Sequence, residues 1–355
     1  MVRNLLVERN LPSPVEGVET VSDWENRRVG LKELLCREEY GFLPPKPQQL
    51  TFEELSSEVL YGGKFEQKSI RLTAIMPQGD FSFDITTLFP VAKGRYPLFI
   101  NLCFRPDVPD RYLPAEEICD NGFGIITVHH NFISPDRNSF DKLLDAVLFK
   151  DGRKNDDCGK IGLWSWAASR AMDYAQTLDC VDLKNVCVIG HSRLGKTALL
   201  TGALDERFAF VVSNEGGCSG EALSRGKTGE CISDITKVFP YWFCENYKKY
   251  ADNEQAQPFD QHYLIALCAP RRVMIGAAVE DLWADPVSQF LSCAAVEDVY
   301  ALYSEKALVA PDRLPLAGDN FDDGCVAFHL RAGTHTITRQ DWQVYMKYIR
   351  KHINR

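Results

Sequence analysis

Short, unbroken apolar runs recur through the middle and C-terminal parts of the chain: PLFINL at 97–102, FGIITV at 123–128, NVCVIG at 185–190, FAFVVS at 208–213 and RVMIGAA at 272–278. A strand with one wet face alternates apolar and polar side chains, so strands this continuously apolar must be covered on both faces. Runs separated by helical stretches therefore imply a mostly parallel sheet, because parallel strands need long crossovers and those crossovers supply the cover. WSWAASRAMDYAQTL at 164–178 reads as one crossover helix, and DWQVYMKYIRKH at 341–352 as a closing amphipathic helix.

The N-terminal part has a different pattern. Residues 69–89 alternate as IRLTAIMP and FSFDITTLFP across a Pro-Gln-Gly-Asp turn, which predicts an antiparallel hairpin. Ser22-Asp23-Trp24-Glu25 has the form of a capping box, and a helix to about Glu38 would follow it. Trp24, Leu31, Leu34 and Leu35 share one face of that helix, and Gly41, Pro44 and Pro45 stop it. The expectation is one α/β domain over residues 1–355, a three-layer sandwich with an antiparallel start to its sheet. Residues 1–60 are expected as a helical N-terminal extension packed on it.

Composition narrows the function. The 355 residues are 45% hydrophobic and 25% charged, and a formal charge of −9 repels nucleic acid and anionic membrane surfaces at long range. No run approaches a membrane span and the N-terminus lacks the apolar core of a secretory signal, so a cytoplasmic protein is expected. Twelve scattered cysteines form no C-x-x-C pair or compact metal spacing, which reads as reduced, structural cysteine.

The stretch VCVIGHSRLGKTALL at 186–200 satisfies two patterns. Gly190 to Thr197 fits the phosphate-binding G-x-x-x-x-G-K-[ST], and Gly190 to Gly195 centres Ser192 as a nucleophile elbow does. A phosphate loop wraps consecutive backbone N–H groups around its ligand, but here His191, Arg193 and Leu194 occupy the turn, and no partner run ends in a magnesium-binding Asp. Nucleotide binding is thus the remote alternative. The elbow reading demands, in chain order, an acid and a histidine on loops after later strands. Glu215 follows FAFVVSN, Glu280 and Asp281 follow RVMIGAAV, and His335 lies in RAGTHTITRQDW. A serine hydroxyl needs an imidazole to take its proton, and the imidazole needs a carboxylate to fix its tautomer. Of the remaining histidines, His191 is read as shaping the turn, His262 as anchoring a helix start, and His129 and His130 as structural.

GHSRLGKTALLTGALDERFAFVVSNEGGCSGEALSR at 190–225, with FPYWFCENY, FDQHYLIALCAPR, EDLWADP and FHLRAGTHTITRQDW, resembles the bacterial branch of the glucuronoyl esterases, carbohydrate esterase family 15. WENRRVGLKELLCREEYGFLPP near the start is a weaker match. The resemblance implies an α/β-hydrolase that needs no metal or organic cofactor. Its substrate would be the ester between 4-O-methylglucuronic acid on glucuronoxylan and a lignin alcohol. It puts the nucleophile at Ser192, the base at His335 and an oxyanion-stabilising cation at Arg193. It puts substrate contacts at Lys196, Glu230 and Trp283, and the acid at Glu215 with Asp281 second or supporting. A deacetylase of xylan fragments is the alternative within hydrolases. Ser219 and Glu221 depart from the pattern, and the extra charge of Glu221 is expected near the pocket, against an anionic uronate.

Overall fold

The protein was analysed as a computed structural model that describes residues 1–353. Ten strands form one sheet. Its order is β1 (Gln49–Leu60), β2 (Phe65–Ile75), β3 (Phe81–Pro90), β5 (Gly124–His129), β4 (Tyr96–Cys103), β6 (Val181–His191), β7 (Phe210–Asn214), β8 (Arg272–Ala278), β10 (Val326–Arg331) and β9 (Asn320–Phe321). The β1–β2, β2–β3 and β3–β5 pairs are antiparallel, the pairs from β5–β4 through β8–β10 are parallel, and β9 returns antiparallel on β10.

The continuous apolar runs are covered on both faces, as their composition requires. Phe99, Cys187, Ile189, Val212 and Met274 point to one side and pack with Trp342, Tyr345, Tyr348 and Ile349 of the C-terminal helix Arg339–His352. Their neighbours Ile100, Val188, Val211 and Ile275 point to the other side. There they join Trp164, Ala168, Leu199 and Leu200 of the helices Lys160–Ala175 and Arg193–Leu204. Each large apolar side chain so buried contributes about 1.5–3 kcal/mol relative to exposure. The Trp342 indole also donates to Tyr112 O at 2.8 Å, which keeps its one polar atom satisfied.

The first sixty residues depart from the expected helical extension. Helices cover Val2–Arg9 and Val21–Leu35, but 49–60 is β1, the edge strand, almost wholly solvated and rich in glutamate. The capping box lies two residues earlier than expected. Thr20 caps the helix by accepting from Asp23 N–H, and Asp23 accepts back from Thr20 N–H, so Ser22 sits inside the first turn. Leu34 is only half-buried, and Arg28 takes part in the buried face.

The expected antiparallel hairpin forms from β2 and β3 around residues 76–80. All twelve cysteines are free, ten of them buried. No helix among the described residues is long and apolar enough to cross a membrane.

Candidate active site

Ser192 stands between the end of β6 and the start of the helix Arg193–Leu204, at φ 59° and ψ −129°. That backbone is costly for a non-glycine residue and persists only where surroundings enforce it. Two glycines allow the enforcement. A Cβ on Gly190 would lie 2.1 Å from Leu194 O, and one on Gly195 would lie 2.7 Å from Ser213 Oγ, so strand and helix meet at a distance only glycine permits. Ser192 N–H donates to Asn214 O at 2.8 Å, which ties the turn to β7.

The partners arrive from the same end of the adjacent parallel strands. Glu215 follows β7, Asp281 lies three residues past β8, and His335 lies four past β10. His335 Nδ1 is 2.7 Å from Asp281 Oδ2 and 3.3 Å from Glu215 Oε2. The order expected of the two acids is therefore reversed: Asp281 makes the short hydrogen bond. Glu215 is occupied elsewhere, accepting from Arg331 Nη2 at 2.7 Å on one oxygen and from Thr336 N–H at 2.7 Å on the other. Burial pushes its carboxyl up to about 9 against the pull of Arg331, with Asp281 and Asp341 adding to the rise.

Arg331, itself buried, also donates to Asp341, Thr334 O and Thr336 O. It thereby clips the histidine loop to Glu215. Its position in a continuously buried strand gave no sign of this role, because a lone arginine in an apolar run carries no information about its partners.

His191 does more than shape the turn. Its ring lies 4.7 Å from that of His335, centroid to centroid, and near Tyr112 and Phe104. Burial, with the neighbouring His335, pushes it down to about 3, so it packs as an uncharged ring. His191, Glu215 and His335 bring three ligating atoms within 4.8 Å of one another. Those atoms are engaged already: His191 Nδ1 with Asn214 O at 3.3 Å, His335 Nδ1 with Asp281, and Glu215 Oε2 with Thr336 N–H. Each of the three is thus held by a hydrogen bond to a residue outside the set.

His130 and His129 bond the backbone of Cys103 and Phe104, as structural histidines do. His262 opens a short helix and bonds Pro12 O at 3.1 Å.

Arg193, next to Ser192, is half-exposed and ion-paired through Nη1 to Asp136 Oδ2, with its guanidinium near the rings of Phe104 and Trp242. Lys196 is buried one turn along the same helix. Its ammonium donates to Gly216 O and Cys218 O and lies 3.9 Å from Glu230 Oε2. Glu230 N–H in turn donates to Trp283 O at 2.9 Å, and the Trp283 side chain is 57% exposed. Lys196, Glu230 and Trp283 are thus joined in one group beside the elbow.

Glu221 does not line the surface of this group. It is fully buried beneath the loop, accepting from Gly216 N–H at 2.7 Å and Ser213 Oγ at 2.8 Å, and Ser219 is turned inward to Tyr247.

A serine on a strained strand–helix turn, with a carboxylate-bound histidine on a later loop of a mostly parallel sheet, defines a carboxylic-ester hydrolase of the α/β-hydrolase class. The chain belongs to the glucuronoyl esterase family, carbohydrate esterase family 15: the family model "Glucuronyl esterase, fungi" matches residues 75–304. Carbohydrate esterase MZ0003, from an unknown prokaryotic organism, is 33% identical over 97% of this chain and 89% of its own. The glucuronoyl esterase from Solibacter usitatus superposes with a TM-score of 0.88 at 32% identity, covering 96% of this chain and 97% of that one. A promiscuous esterase of the same family, from a marine bacterial metagenome, gives 0.88 and 32% over 96% of both chains.

Proposed function

We propose that the protein hydrolyses 4-O-methylglucuronoyl esters through a triad of Ser192, His335 and Asp281, with Glu215 as a supporting carboxylate. The observation that carries this reading is the 2.7 Å hydrogen bond from His335 Nδ1 to Asp281 beside the strained Ser192 turn. Ser192 Oγ attacks the ester carbonyl as His335 takes its proton, and Asp281 stabilises the imidazolium that forms. The oxyanion develops against the Arg193 backbone N–H, at the start of a helix, and the Arg193 side chain. Collapse breaks the C–O bond, and the leaving alcohol takes the proton from His335. Water then attacks the acyl-enzyme with the same base, releasing the uronic acid and free Ser192.

On the acyl side, Lys196 supplies positive charge, Glu230 accepts from sugar hydroxyls and the exposed Trp283 ring offers a flat face to the sugar. The substrate class is supported by relatives bearing the name 4-O-methyl-glucuronoyl methylesterase, one of them from Podospora anserina at 29% identity over 77% of this chain and 55% of its own.

The test is hydrolysis of methyl and benzyl glucuronate esters beside acetylated xylo-oligosaccharides. Uronate-ester cleavage is expected, lost by about a thousandfold or more in Ser192→Ala. Acetate release without uronate-ester cleavage would overturn the acyl assignment in favour of a deacetylase.

A further inference from the structure

Arg193 is held by a clamp whose parts come from three distant segments. Asp136, on the loop after β5, pairs with Arg193 Nη1 through Oδ2 and accepts from Trp242 Nε1–H at 2.7 Å through Oδ1. The guanidinium carbon lies 5.1 Å from the Trp242 ring centroid and 5.5 Å from that of Phe104. Arg193 Nε is buried with no hydrogen-bond partner.

The Asp136 loop is itself anchored. Its N–H donates to Asn131 Oδ1 at 2.9 Å, and two residues earlier Ser134 Oγ donates to Asp145 at 2.7 Å. Asp145 and Lys160 form a fully buried ion pair at 2.6 Å, and Lys160 also donates to Ser139 O, so helix Lys160–Ala175 grips the loop on both sides of Asp136.

We propose that Asp136 and Trp242 are positioning residues for the ester hydrolysis, holding the Arg193 guanidinium so that its Nη2, which no described residue engages, meets the developing oxyanion. The proposal rests on the reading of Arg193 as oxyanion partner. A free arginine side chain is rich in rotamer entropy, which a transition state would otherwise have to freeze. Fixing Nη1 to Asp136 between two rings removes that cost before substrate arrives, and preorganised charge is what makes oxyanion stabilisation effective.

Arg193 Nη1 and Trp242 Nε1 meet the two oxygens of Asp136, which the Tyr241 hydroxyl also engages, and that competition gives the test. Asp136→Ala is expected to lower kcat on benzyl glucuronate by about ten- to a hundredfold with KM within about twofold. Asp136→Asn leaves one carboxamide oxygen for the competing donors and is expected to lose about tenfold. Adding Trp242→Phe removes the competing donor and should recover at least part of that loss. In an Arg193→Met background, Asp136→Ala should cost less than about twofold more, since it acts through the missing side chain.

The proposal is overturned if Arg193→Met lowers kcat but Asp136→Ala does not, or if Asp136→Ala costs the same factor in both backgrounds. Unchanged kcat in Arg193→Met itself would instead remove the oxyanion reading, and the clamp with it. Thermal midpoints accompany every variant. Should Asp136→Ala fail to fold, failure of Trp242→Phe to recover activity in Asp136→Asn overturns the proposal.

Discussion

Replacing Asp281 by Asn should damage turnover far more than replacing Glu215 by Gln. At an effective dielectric of about 20, an imidazolium 2.7 Å from Asp281 gains about 6 kcal/mol, and one 3.3 Å from Glu215 gains about 5 kcal/mol. The small difference in distance is not what separates them. The two oxygens of Glu215 are engaged by the Arg331 guanidinium and Thr336 N–H, each at 2.7 Å, so it is a weaker partner for His335 than Asp281 and substitutes for it only in part.

Loss of a triad carboxylate with no substitute costs about ten-thousandfold in kcat. Asp281→Asn leaves Glu215 within reach of Nδ1, so a loss of about a hundredfold is expected, equivalent to about 2.7 kcal/mol of transition-state stabilisation. Glu215→Gln keeps an acceptor for Arg331 or Thr336 and should cost less than about tenfold, while the double variant should approach the full ten-thousandfold. The assay is initial-rate hydrolysis of benzyl glucuronate at saturating substrate and pH 7, with thermal midpoints measured in parallel. If Glu215→Gln loses more turnover than Asp281→Asn while both remain folded, the assignment of Asp281 as principal acid is wrong.

Glu39 is fully buried against Gln261, and burial pushes its carboxyl from about 4.5 up to about 8. Between those values the folded state binds more protons than the unfolded one, so stability falls as pH rises, by up to about 1.4 kcal/mol per pH unit from this group. Glu39→Gln should flatten that slope in urea denaturation from pH 5 to 8; an unchanged slope would refute it. Trp283→Ala should raise KM for uronate esters several-fold while shifting stability by no more than about 0.5 kcal/mol, because the ring is mostly exposed. A loss confined to stability would mean the ring packs and does not bind.

The hairpin of β2 and β3, the apolar strands β4 to β8 and the elbow at Ser192 were legible because each is specified by neighbouring residues: period, turn chemistry and glycines at fixed offsets. Strand β1 was not, since both of its faces are largely solvated and its glutamates mask any alternation. Strand β10 was hidden for the opposite reason. His329 and Arg331 interrupt its apolar pattern, and only the buried acids Asp341 and Glu215 on other elements make an arginine tolerable there.

The site divides along the same line. Sequence order alone put Ser192 and two candidate acids on loops after successive strands, with His335 further on, because a parallel sheet gathers its strand ends at one edge. Which acid bonds the histidine, how Glu221 is sequestered and what holds Arg193 were decided by the tertiary structure. The pairing of the acids and the hold on Arg193 depend on distances of a few ångströms between residues 57 to 116 positions apart, such as Asp136 and Arg193 or Glu215 and Arg331, and all three depend on the desolvation that packing imposes. Local pattern fixes which groups are offered to the site; burial and competing partners fix what each one does there.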